Sequence, residues 1–149
     1  MVFLLISVVV FLAVTFLAPK KIKRSELYAV ALFSIVLGFV TDITADLKYN
    51  VYGYIKPGVQ FTGFLPILIL FPTAGILYMN FFPFNKAFVL KLRYTFFWTI
   101  FCLTFEFLSI KSGYFYHNGW KYWHSALTYP FLFWLHILHL RFFRWFAGS

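Results

Sequence analysis

Asp42 and Asp46 stand four residues apart, so if the apolar stretch before them continues as helix, both carboxylates lie on one face. Hard cations choose carboxylate oxygens, and such a pair can hold magnesium against a lipid diphosphate. Two aspartates are a short signature, though, and the longer metal-binding motifs of membrane phospho-transferases are missing. A helix end that meets water reads the same way. Glu106 is the more informative acid. It lies in Phe105-Glu106-Phe107, inside a long apolar run, where a carboxylate is costly unless paired, protonated or wet. It should therefore face the interior of a helix bundle. Lys111, His124, Ser109, Ser125 and Tyr129 are its candidate partners at the same depth.

His136 and His139, three apart, share a helix face, but no carboxylate or cysteine stands beside them to complete a metal site. No nucleophile elbow, phosphate-binding glycine loop or zinc-protease motif is present, so nothing announces catalysis. Neither a cofactor nor a metal is expected.

The remaining polar chemistry falls in two segments. Residues 42–63 hold Asp42, Asp46, Lys48, Tyr49, Tyr52, Tyr54 and Lys56, with Pro57-Gly58 suited to the centre of a type II turn. The flanking Tyr, Val and Ile suit a short hairpin or a segment lying along an interface. Residues 111–124 hold Lys111, Tyr114, Tyr116, His117, Trp120, Lys121, Tyr122, Trp123 and His124. An aromatic belt at the headgroup level accounts for much of this composition. Combined with the acids, it also defines a candidate ligand site of Asp42, Asp46, Glu106, Lys111, Trp120, Lys121, His124 and Tyr129.

The elements that must position these residues are membrane spans. Of 149 residues, 62% are hydrophobic and only 11% charged, far below the share of about 25% charged residues in soluble domains. The apolar residues come in unbroken runs rather than a stripe of period 3.6, so the helices are apolar all round. A single all-α integral membrane domain over residues 1–149 follows, with spans near 2–18, 27–41, 64–79, 88–110 and 123–143. The first is not a signal peptide, because no basic residue precedes it and no soluble chain follows. Pro66, Pro72 and Pro130 lie inside spans and should bend them.

Lys and Arg set the orientation. Lys20, Lys21, Lys23, Arg24, Lys86, Lys91, Arg93, Arg141 and Arg144 fall on one side, against Lys48, Lys56, Lys111 and Lys121 on the other. The positive-inside rule places the N-terminus outside and the C-terminus in the cytoplasm. The net charge of +9 is thus a topology signal and a contact to anionic lipid, not a nucleic-acid surface. Cys102, the single cysteine, allows no internal disulfide and reads as a small buried hydrophobe.

The second half, in Phe105-Glu106, Lys111-Ser-Gly113, Gly119-Trp120-Lys121, Ser125 and Tyr129-Pro130, resembles a family of short uncharacterised multi-spanning membrane proteins of spore-forming Gram-positive bacteria. The match is looser at Asp42, Tyr52-Gly53-Tyr54, Pro57-Gly58 and Phe82-Pro83-Phe84. The resemblance implies a bacterial plasma membrane protein of about five helices and supplies no activity. His136 and His139 are not part of its pattern.

Three functions compete at this point. The first is binding of a lipid or small amphiphile in an outer-leaflet pocket. The second is a transport or membrane-complex subunit, which at this size calls for a homo-oligomer or a larger membrane partner. The third is a metal-dependent enzyme acting on a membrane lipid. They are favoured in that order.

Overall fold

The computed structural model describes residues 1–56 and 58–148, so Pro57, and with it the expected Pro57-Gly58 turn, lies outside the described residues. The chain is 75% helical. Its helices are α1 (Val2–Leu17), α2 (Arg24–Asp42), α3 (Phe71–Asn80), α4 (Phe88–Lys111) and α5 (Tyr122–Phe146). A wide π turn, Ile43–Lys48, prolongs α2, and a second, Pro66–Leu70, leads into α3. Two short strands, β1 (Tyr52–Tyr54) and β2 (Phe115–His117), complete the fold.

Three continuous helical stretches are long and apolar enough to cross a membrane: Arg24–Lys48, Phe61–Asn80 and Phe88–Lys111. The apolar α1 is shorter, at 16 residues. The 25 residues of α5 equal the longest stretch but include His, Trp and Arg. The outer surface of the bundle is correspondingly greasy. Phe16, Phe61, Phe88, Trp145 and Phe146 all stand exposed.

Side-chain hydroxyls show how such helices tolerate an apolar solvent. Ser7, Ser34, Thr41, Thr73, Thr99, Thr104, Ser109 and Thr128 each donate to the carbonyl four residues back on their own helix. No water is then needed to satisfy them. The prolines are handled locally. Pro66 sits in the first turns of its helical stretch, where a missing N–H costs little, whereas Pro72, just past the π segment, and Pro130 lie inside continuous helix.

Helix α3 is the hub. It packs against α2, α1 and α5, while α5 also packs on α2 and α4. Small residues permit the closest approach, as is usual where lipid supplies no hydrophobic drive between helices. A Cβ added to Gly38 of α2 would lie 2.4 Å from the Phe71 ring, and one on Gly75 of α3 would lie 2.2 Å from Ser34 Oγ. At one end of the bundle, Val30, Tyr78, Met79, Phe82, Phe133 and Leu140 form a dense core, with Tyr78 stacked on Phe133 at 4.1 Å.

That end is also tied by polar contacts. Asn80 Oδ1 accepts from Lys21 N (2.7 Å), and its Nδ2 donates to Pro19 O (2.8 Å), clamping the α1–α2 linker to the end of α3. Arg144 Nε donates to Glu26 Oε1 at 2.7 Å, joining α5 to the start of α2. The basic residues of the α1–α2 linker and of the end of α5 therefore gather at one end. At the opposite end, β1 and β2 pair antiparallel in the register Tyr52↔His117, Gly53↔Tyr116, Tyr54↔Phe115. The first loop thus forms its strand with the second loop rather than closing a hairpin on itself. Asn118 N and Trp120 N both donate to Val51 O, locking the two loops together.

Candidate functional site

Pairing of the two loops brings their aromatic residues over a cavity of about 480 Å³ in the middle of the bundle. Its lining comes from all five helices and both strands, and includes Asp42, Tyr54, Glu106, Tyr114, Trp120 and Tyr129. It reaches the bundle surface at the exposed Val40 and Thr44 beside Asp42 and at Phe101 of α4.

Glu106 is held by a defined network. Trp120 Nε1 donates to Ser125 Oγ at 2.7 Å, and because an indole can only donate, the Ser125 proton is directed to Glu106 Oε1 at 2.8 Å. Tyr129 donates its hydroxyl to Oε2. His117 Nε2 lies 2.8 Å from Oε1, in a direction that falls short of hydrogen-bond geometry. Glu106 is 4% exposed. As expected for a buried carboxylate, it faces inward and joins helices: α4 carries it, α5 supplies two donors and β2 a third neighbour.

Asp42 is different. It is 6% exposed and its Oδ1 accepts from the Tyr52 hydroxyl at 3.0 Å, while Oδ2 is buried without a hydrogen bond. The Tyr114 hydroxyl, on a residue 2% exposed, is buried and unbonded as well. Burial first, and the nearby Asp42 second, push the phenols of Tyr52, Tyr54 and Tyr114 well above the ordinary tyrosine range. They remain neutral donors beside the carboxylate. Trp120 meets Tyr52 edge-on at 5.6 Å, so the Asp42 and Glu106 halves share one aromatic wall.

Farther in, Ser34 Oγ lies 2.8 Å from His136 Nε2, and His136 Nδ1 lies 2.8 Å from Leu132 O. A carbonyl only accepts, so Nδ1 carries the proton in the neutral ring, and Nε2 shares the single Ser34 hydroxyl proton with Val30 O. The backbone of Gly75 closes over the Ser34 hydroxyl. This pair therefore links α2 to α5 at the cavity wall.

Of the residues expected from sequence, Asp42, Glu106, Trp120 and Tyr129 meet at the cavity. The others lie outside its lining. Asp46 is half-buried beside Asp42, on the π turn that carries α2 past the expected end of its span at residue 41. Exposed Lys111 lies over the Phe107 ring. Lys121 is exposed at the start of α5, where its N–H donates to His124 Nδ1, and His124 stacks on Trp123. His139 stacks on Phe33 at 4.1 Å, and the same ring meets His136 edge-on at 5.1 Å. No three His, Cys, Asp or Glu side chains converge to hold a metal among the described residues.

Sequence reasoning passed over Tyr54, Tyr114 and His117 as site residues, because strand pairing between distant loops is what brings them in. It also passed over Glu26, whose three-residue spacing from Lys23 is a helix-start signal: its carboxylate accepts from Lys23 N at 2.9 Å. Compared with protein-family models, curated proteins and solved structures, the chain matches none of them.

Proposed function

We propose that the chain is a five-span membrane protein, N-terminus outside, that binds a lipid or small amphiphile in the cavity beneath its paired outer loops. The observation that carries this is the cavity itself. At about 480 Å³ it is of ligand size, apolar over most of its wall, and supplied with a few placed polar groups at one end. The spans of α1 and α5, and the orientation, draw support from the bundle's exposed apolar surface and from the basic residues gathered at the opposite end. The resemblance of the second half supports a bacterial plasma membrane as the location.

The test is native mass spectrometry of protein released from a non-ionic detergent, wild type beside Ala74→Leu, which adds bulk to the cavity wall. The expected result is one retained amphiphile in wild type and none in the variant. A bare chain in both, or an adduct untouched by the substitution, would overturn the function.

A further inference from the structure

We infer that the head of the cavity's occupant is a positively charged nitrogen, with Asp42 as its counter-ion, resting on the amphiphile-binding function proposed above. The chain holds 13 Lys and Arg against 4 Asp and Glu. Yet two of its four acids line this cavity, and no lysine or arginine does among the described residues. Against a +9 background, that segregation makes the cavity selective for positive charge.

The two acids are not equivalent. Glu106 has Ser125, Tyr129 and His117 about it and needs nothing further. Asp42 accepts one well-formed bond, from Tyr52, with the Tyr54 phenol beside the carboxylate as a weaker partner, and its Oδ2 is buried without a formed hydrogen bond. A buried carboxylate left half-satisfied is expensive, and the partner that resolves it is a cation. Its surroundings suit an ammonium. The rings of Tyr52, Tyr54, Tyr114, Phe115 and Trp120 line the same end of the cavity, and aromatic faces attract ammonium groups, most strongly where water is excluded. The unbonded Tyr114 oxygen offers a second acceptor. A primary ammonium uses both oxygens as hydrogen-bond acceptors; a quaternary one uses the carboxylate as a charge and the rings as walls. Both share the cationic nitrogen, and both leave the tail to the apolar part of the cavity near Leu37, Phe71 and Phe133.

The experiment titrates four single-chain probes of equal tail length into the purified protein in non-ionic detergent: a primary alkylamine, an alkyltrimethylammonium, an alcohol and a carboxylate. Occupancy is read by native mass spectrometry. The expected order is either amine at least about tenfold above the alcohol, with the carboxylate weakest, a ratio equal to about 1.4 kcal/mol. Preference for the primary amine points to Oδ2 and the Tyr114 oxygen as acceptors, and equal binding of the two cations to the aromatic walls. Asp42→Asn should bring both amines down to the level at which the same variant binds the alcohol, its helical circular dichroism reporting that it is folded. Should that variant fail to fold, the wild-type series alone decides the charge. Tyr114→Phe then locates the site, with an expected fall of a few-fold for the primary amine only. Alcohol and amines bound equally, or the carboxylate preferred, would overturn the inference and leave amphiphile binding standing. No probe bound at all would remove both.

Discussion

Replacing Gly75 by alanine probes the tightest contact in the bundle. The new methyl would lie 2.2 Å from Ser34 Oγ, 3.1 Å from His136 Nε2 and 3.4 Å from Ser34 Cβ. The first distance falls more than 1 Å short of the ~3.5 Å of ordinary nonbonded contact. Either α3 withdraws from α2 or the Ser34 hydroxyl leaves its place between Val30 O and His136. Overpacking costs about 1–3 kcal/mol, and losing one interhelical hydrogen bond in a membrane protein about 0.6–1.7 kcal/mol. Alanine returns about 1 kcal/mol in helix propensity. A net destabilisation of about 2 kcal/mol results. Ser34→Ala alone should cost about 1 kcal/mol for the lost bond. With Oγ gone, the 2.2 Å clash disappears, and the methyl added at position 75 is left with His136 Nε2 at 3.1 Å and the Cβ at position 34 at 3.4 Å. The double variant should therefore be more stable than Gly75→Ala alone. Reversible unfolding in mixed micelles of rising SDS fraction, followed by tryptophan fluorescence, measures all three. Strict additivity, with a coupling below about 0.5 kcal/mol, would refute the Ser34–His136–Gly75 contact and the close α2–α3 packing built on it.

Two further outcomes are expected. Asn80→Ala removes the clamp on Lys21 N and Pro19 O; it should cost about 1–3 kcal/mol and make the α1–α2 linker cleavable by trypsin, whereas unchanged protection would show the linker is held otherwise. Alkaline titration followed by phenolate absorbance tests the loop tyrosines, whose folded pKa values are raised by burial and by Asp42. Their contribution to stability is full below the unfolded tyrosine pKa of about 10 and is lost as pH climbs toward the folded values. Changing Tyr52, Tyr54 and Tyr114 together to Phe should remove no absorbance that titrates below about pH 11; any loss there would mean these phenols are open to water.

Composition and run length determined most of the architecture. Continuous apolar runs closed by Lys, Pro-Phe or aromatic loops can bury their backbone only as helices. The helix bounds found, such as Phe88–Lys111 against an expected 88–110, sit within a residue or two of those runs except at α2, α5 and α3, whose α-helical turns begin only at Phe71, after the π segment Pro66–Leu70. At α2, the helix begins three residues earlier, at Arg24, and winds on past Thr41 as a π turn. At α5, it continues to Phe146, three residues past the expected end. Glu106 could also be placed from sequence, since a carboxylate amid phenylalanines has one tolerable direction to face.

The sequence could not rank the two acids. That Glu106 is satisfied and Asp42 is left with a bare oxygen depends on Ser125, Tyr129 and His117 reaching one carboxylate and only Tyr52 bonding the other. The Ser125 and Tyr129 encounters follow from α5 packing on α4, and those of His117 and Tyr52 from β1 pairing with β2 across more than sixty residues of chain. Neither loop carries a periodicity that specifies its partner, and helices apolar on every side leave their neighbours unspecified. Helix order, strand register and the position of the cavity are set by how Gly38, Gly75 and the aromatic side chains fit together in three dimensions. Hydropathy, which is blind to shape, leaves that fit undetermined.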